Sequence, residues 1–395
     1  MITPLSAQTA PESTGALALD LLRKAVPAGE NSVISPYSIQ SALVMAYAGA
    51  AGGTQGQMKK TLHYGPGAVD SFSALRKEIE ATPPRDGELE VADRLFGQDG
   101  YPFRPEFLGL LKSKFAAPLE VVDFEKDPPA AARLINAWVE KQTRKRIKNL
   151  VPESALDRLT RLVLVNAIYL KAQWAQAFDP ALTKPGTFHL AGGKTTEVPM
   201  MSRTGRMGSL RGKGFTAVSL PYLGGDLELA VILPDAGLPP LEASLKPEDL
   251  SSLCEMPSSE VSLSMPKFRV EPPLLKLGDV LAALGMPSAF DKPRGSADFS
   301  GIAPRKPDDY LYISEVFHKA FVEVDEKGTE AAAATAVVMM RAMMAPSDDP
   351  LKVVVDRPFF FAINHIPSKT CLFLGRVANP AGAGDMDGGE GKETR

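Results

Sequence analysis

Leu162 to Leu170 (LVLVNAIYL) is apolar at every position but Asn166, the pattern of a strand buried on both faces. Shorter blocks of strand character stand at Leu89–Phe96, Leu119–Phe124 and Val261–Val270, and Leu220–Tyr222 pairs with Leu227–Pro234 through a Gly224-Gly225 turn. Apolar residues at helical spacing predict helices over Gly15–Ala25, Pro105–Phe115 and Leu274–Leu284, and one from Ala130 that carries a basic run toward Leu150. Ser35 and Pro36 read as an N-cap and a first helical position, so another helix starts there.

One stretch fits none of these elements. Strands flank it, Ala320–Val324 before and Lys352–Val355 with Pro358–Ile363 after. Glu326 to Ser347 (EKGTEAAAATAVVMMRAMMAPS) has no turn pair until Pro346, and so long a connection inside a compact domain is usually functional or disordered. It can be a linker, although Ala, Val and Met are the wrong composition for one. It can be a helix, given its run of four alanines. It can also be a latent strand: Thr329, Ala331, Ala333, Thr335, Val337 and Met339 share one face, and Glu330, Ala332, Ala334, Ala336, Val338 and Met340 the other. The only charge falls on one face, so the segment can stand exposed or enter a sheet with its small, uncharged side buried.

The run Glu326-Lys327-Gly328-Thr329-Glu330, followed by Ala331, Ala332, Ala333, Ala334 and Thr335, resembles the hinge and reactive loop of inhibitory serpins. Val355–Ile363 (VDRPFFFAI) resembles the C-terminal signature of that family, and so do Ser35-Pro36-x-Ser38-Ile39, Gly49–Thr54, Ile135-Asn136-x-x-Val139 and Lys171-x-x-Trp174 at theirs. The resemblance implies an α+β fold, several helices around three β-sheets, in a single domain over residues 15–380. A reactive loop at about 326–350 would be able to insert into the main sheet, with a flexible lead over 1–14 and a disordered tail over 381–395.

It also implies an activity. A serine protease cleaves the loop, is held as an acyl-enzyme and is trapped as the loop inserts. By the spacing usual in inhibitors Ala342 precedes the cleaved bond and Met343 follows it, which favours an elastase-like target; Arg341 in that role favours a trypsin-like one, and a chymotrypsin-like one stays open. Ser35, Ser38, Asn166 and His318 are implied to form a polar cluster under the main sheet, Trp174 to lie where the loop first enters, and Lys267 to pair with Glu326. An extracellular monomer is implied, yet the first fourteen residues do not read as a secretory signal, and a cytoplasmic location is the alternative. The rival readings are a non-inhibitory serpin acting as carrier, chaperone or structural protein, and an inhibitor of cysteine proteases.

Composition narrows the field further. A net charge of -3 with 23% charged residues argues against nucleic acid or an anionic membrane as partner, and no apolar run approaches the roughly 20 residues of a membrane helix. Lys141, Arg144, Lys145, Arg146 and Lys148 read as a solvated helix face rather than a polyanion site. Cys254 and Cys371 are too few for a disulfide scaffold, and buried, unpaired thiols are expected. His63, His189, His318 and His365 sit in no metal-binding spacing, and there is neither a Gly-x-Ser-x-Gly elbow nor a phosphate loop. No cofactor, metal or catalytic activity is therefore expected.

Overall fold

The computed structural model describes residues 9–27, 29–329 and 349–381. Ten elements position the site: helices α1 (Ala10–Lys24), α2 (Pro36–Tyr47), α3 (Ala68–Ala81) and α4 (Pro128–Gln142), and strands β1 (Glu88–Gln98), β2 (Leu162–Gln173), β3 (Thr195–Gly212), β4 (Val316–Ala320), β5 (Val322–Val324) and β6 (Gly328–Thr329).

The apolar run singled out above becomes β2, the centre of an 8-stranded sheet. Its Leu164, Ile168, Leu170 and Ala172 join the main core, where α2 lies. Its Val163, Val165 and Ala167 join a second cluster with Ala132, Ile135 and Val139 of α4, so helices cover both faces. Antiparallel β1 runs along one edge of β2, from Glu88 opposite Lys171 to Gly97 opposite Leu162. Parallel β4 takes the other edge, Val316–Ala320 opposite Leu164–Ile168. Beyond Phe321 the chain leaves β2: β5 pairs outward with Phe268–Val270, and β6 occupies the gap between β2 and β5.

The other sheet has nine strands, and β3 ties it together. Its start pairs with Lys184–His189, its middle with Ser258–Pro266 and its end with Phe215–Pro221. The three expected layers are therefore hydrogen-bonded as two sheets among the described residues, because one long strand runs through two of them.

Three expectations need correction. Helix α1 begins inside the supposed lead, at Ala10, because Thr9 and Glu12 form a reciprocal cap in which each side chain accepts from the other's backbone N–H. Helix α4 stops at Gln142, and Arg144 and Lys145 take positive φ values of 51° and 64°, so the basic run beyond Lys141 lies in an irregular turn and not on a helix face. The predicted helix over 274–284 starts only at Gly278, since Leu275–Lys276 is drawn into the sheet beside His318 and Phe317. Cys254 and Cys371 are both free, the second buried. No described helix is long and apolar enough to cross a membrane.

Candidate functional site

The site is the upper end of the seam between β2 and its neighbours. Asp325 to Gly328 makes a tight turn in which the Asp325 carboxylate accepts from the backbone N–H groups of Lys327 (2.7 Å) and Gly328 (3.1 Å). The turn sends Gly328 and Thr329 back antiparallel to β2, opposite Gln173 and Ala172. Gly328 is needed there for space: a Cβ on it would lie 2.0 Å from the Ala172 carbonyl oxygen.

Contacts from β2 and the chain after it hold this hinge down. The Trp174 backbone N–H donates to the Lys327 carbonyl (2.9 Å) and that of Phe178 to the Glu326 carbonyl (2.8 Å). Trp174 Nε1–H donates to the Asp325 carbonyl at 2.9 Å, and the indole stacks on Tyr222 at 4.6 Å between ring centroids. The buried Tyr222 hydroxyl meets Thr329 Oγ1, and burial pushes that phenol above its ordinary range. Thr329 is 1% exposed, so the first residue of the small-residue face already points into the core.

Lys267 and Glu326 form the expected ion pair at 2.9 Å, and the Thr183 hydroxyl donates to the same carboxylate at 2.9 Å. Burial works against the Glu326 carboxylate, but hydrogen bonds from Lys267, its own backbone N–H and Thr183 outweigh it and hold the group below the usual range. The lysine side chain is 37% exposed, so solvent screens the attraction. Lys267→Ala is expected to cost about 0.5–1 kcal/mol, read as a small shift in the urea midpoint; a loss several times larger would mean that the pair holds the whole hinge.

Lower in the same seam the structure brings Ser35, Ser38, Asn166 and His318 together. Ser35 caps α2, its Oγ accepting from the Ser38 backbone N–H at 3.2 Å. His318 lies opposite Asn166 in register, across the β2–β4 junction. Burial lowers the His318 pKa to about 3, so the ring is neutral, with Nε2 accepting from the Ser35 backbone N–H (3.0 Å) and Nδ1–H donating to Asn166 Oδ1 (2.6 Å).

Asp93 of β1 belongs to this cluster and was not anticipated. Alternation along the strand puts it on the same face as Leu89, Val91 and Leu95, and a lone acid on an apolar face was the available signal. Asp325 and Tyr222 were also missed; the Asp-x-x-Gly spacing of the turn marked the first, and nothing in the sequence marked the second. Glu330, Ala331, Ala332, Ala333, Ala334 and Thr335, together with Arg341, Ala342 and Met343, lie outside the described residues. No cluster of three metal-binding side chains occurs among the described residues.

A family model described as "Serpin (serine protease inhibitor)" matches residues 12–380. The leukocyte elastase inhibitor of Bos taurus is 39% identical over 366 residues, covering 90% of this chain and 94% of that protein. The crystal structure of Serpin48 from the insect Tenebrio molitor aligns with a TM-score of 0.79 at 30% identity, covering 94% of this chain and 97% of that one. Human thyroxine-binding globulin aligns with a TM-score of 0.80 at 28% identity, covering 94% and 98%.

Proposed function

The chain belongs to the serpin family, and from that premise we propose that it inhibits a serine protease by presenting residues 326–350 as a substrate and inserting the cut loop between β2 and β4. The observation that carries this reading is the buried β6, two residues of strand that have already entered the sheet. In the inserted form, a continuation of the register of Gly328 and Thr329 would put 331 opposite Leu170, 333 opposite Ile168 and 335 opposite Asn166. The core-facing set would then be Thr329, Ala331, Ala333 and Thr335, the small face read from the sequence. Thr335 would reach Asn166 as β4 is displaced, so its hydroxyl can take over the hydrogen bond that His318 gives up.

The protease supplies the chemistry. Its serine attacks the loop carbonyl, forms an acyl-enzyme and expels the C-terminal side of the bond. This chain contributes a pre-positioned hinge, a β2 edge that can exchange its β4 partner for the loop, and a barrier that keeps the uncut form from inserting, so its persistence is kinetic. Carrying the attached protease along the sheet pulls its serine away from base and oxyanion hole, and deacylation stops.

We take Ala342-Met343 as the bond and an elastase-like enzyme as target, a reading supported by the relatives' names and by the small residue at 342. A monomer acting outside the cell is part of the same reading, with the cytoplasm as alternative. Incubation with elastase, trypsin and chymotrypsin should give a denaturant-resistant complex with elastase and release a fragment that begins at Met343. A fragment beginning at Ala342 reassigns the target to the trypsin type. The carrier reading has one fold neighbour in its favour, the thyroxine-binding globulin. It would win if no protease formed a complex and cutting the loop left the melting temperature unchanged.

A further inference from the structure

Asp93, Asn166 and His318 stand side by side in register on three neighbouring strands, β1, β2 and β4. Every hydrogen bond in the row points the same way. Ser35 N–H donates to His318 Nε2, His318 Nδ1–H to Asn166 Oδ1, and Asn166 Nδ2–H to Asp93 Oδ1 at 2.7 Å; the Ser38 hydroxyl donates to that same oxygen at 2.9 Å. The direction is forced at its start, because a backbone N–H can only donate. It ends on a carboxyl group that no cation meets. Among the described residues no Lys, Arg or His lies within ion-pair distance of Asp93; Arg76 of α3 acts on it from farther off and is held by Glu80 at 2.7 Å. Tyr37 of α2 faces it as a neutral phenol.

The N-terminus of α2 grips both sides of the seam. Ser35 binds His318 on β4, while Ser38 binds Asp93 on β1 and Asn166 on β2. A strand entering between β2 and β4 moves them apart by one strand spacing, about 4.8 Å. That is more than a hydrogen bond can stretch, so α2 must release one side, and water reaches the row.

We propose that Asp93 is a positioning residue for loop insertion: with a proton on its carboxyl the seam stays closed, and loss of that proton primes the seam to open. This rests on the inhibitory reading above. The deciding comparison is between opposed effects on the carboxylate. Asp93 is half-buried, and the packing around it disfavours its charge, while the bonds from Ser38 and Asn166 and the attraction of Arg76 favour it; the loss of solvent wins and raises the pKa to about 7. The closed row therefore holds the neutral acid better than water does, and opening, which hydrates the group, releases the proton. Insertion should accelerate as pH rises toward about 7 and then level off.

His318 titrates in the opposite sense, resisting a proton while buried, so the wild-type profile mixes the two. Glu228, also raised to about 7 by burial, lies in the other sheet beside Ser219 and Asn364. The clean readout is the ratio of insertion rates, wild type over Asp93→Asn, since an amide keeps the shape of the neutral acid and cannot ionise. Full-length protein is warmed, and conversion to the heat-resistant inserted form is followed on native gels from about pH 5 to about pH 8. We expect a ratio near one at the acid end that grows by up to about tenfold per pH unit, to at least about threefold by pH 8. Glu228→Gln should leave the ratio unchanged. A ratio independent of pH overturns the proposal, and so does an infrared difference spectrum between about pH 6 and pH 8 that shows the same protonated-carboxyl band in wild type and Asp93→Asn. If neither protein inserts even after loop cleavage, the inhibitory reading has failed instead.

Discussion

Thr329→Arg is expected to turn this protein from an inhibitor into a substrate. Thr329 is 1% exposed, lies opposite Ala172 on one side and Val324 on the other, and meets the Tyr222 hydroxyl beneath the Trp174 stack. The two carboxylates of the described hinge turn are already engaged, Glu326 by Lys267 and Thr183 and Asp325 by the backbone N–H groups of Lys327 and Gly328. A guanidinium at 329 would enter without a partner, at a cost of several kcal/mol. The hinge would be expelled, and insertion would lose its race with deacylation. The yield of covalent complex should fall at least about tenfold, since each 1.4 kcal/mol added to the insertion barrier is a factor of ten in that race, while the cleavage rate is unchanged and the nicked variant gains no thermal stability. Thr329→Val, which loses only the Tyr222 bond at about 1 kcal/mol, should still inhibit. Full complex formation by the arginine variant on a denaturing gel would show that the loop can insert without burying this position.

That prediction draws on a face legible in the sequence, and the structure adds what fixes it in place. Two-residue periodicity identified the set beginning at Thr329, but which side would turn inward depended on the Asp325 turn and on Ala172, long-range features that periodicity does not carry. Likewise β2 was evident because a strand buried on both sides has no polar alternation to misread. The helix from Ala130 overran because its spacing continues past Gln142. Tertiary bonds end it: the Asn136 side chain bonds both backbone groups of Val151, and Thr143 Oγ1 accepts from the Ile147 N–H, folding the basic turn back on the helix. Leu275 and Lys276 have helical spacing too, but the open edge of β4 claims them as strand. The family resemblance named four members of the polar cluster, whereas the fifth, Asp93, is visible only from the strand's own alternation.

His318→Ala is expected to be the most damaging single change in the seam. It leaves the Ser35 N–H and Asn166 Oδ1 buried without partners, at about 1–3 kcal/mol each, and opens a void between β4 and α2. Spontaneous insertion of the uncut protein, followed on native gels, should accelerate by at least about tenfold, since the His318–Asn166 bond, the only one from a β4 side chain to the Asn166 side chain among the described residues, is gone. The pH dependence makes the test specific. His318 is held to a pKa of about 3, below its unfolded value of about 6.5, so its contribution to stability is present above pH 6.5 and is lost as pH falls through that window toward 3. The variant has no such loss. The stability gap between wild type and His318→Ala should therefore narrow by up to about 1.4 kcal/mol for each pH unit below 6.5, in urea titrations that leave every other carboxyl and imidazole common to both proteins. A gap that stayed constant from about pH 7 to about pH 5 would mean that the ring is already protonated or hydrated in the folded protein, and the one-way row of hydrogen bonds from Ser35 to Asp93 could not then exist.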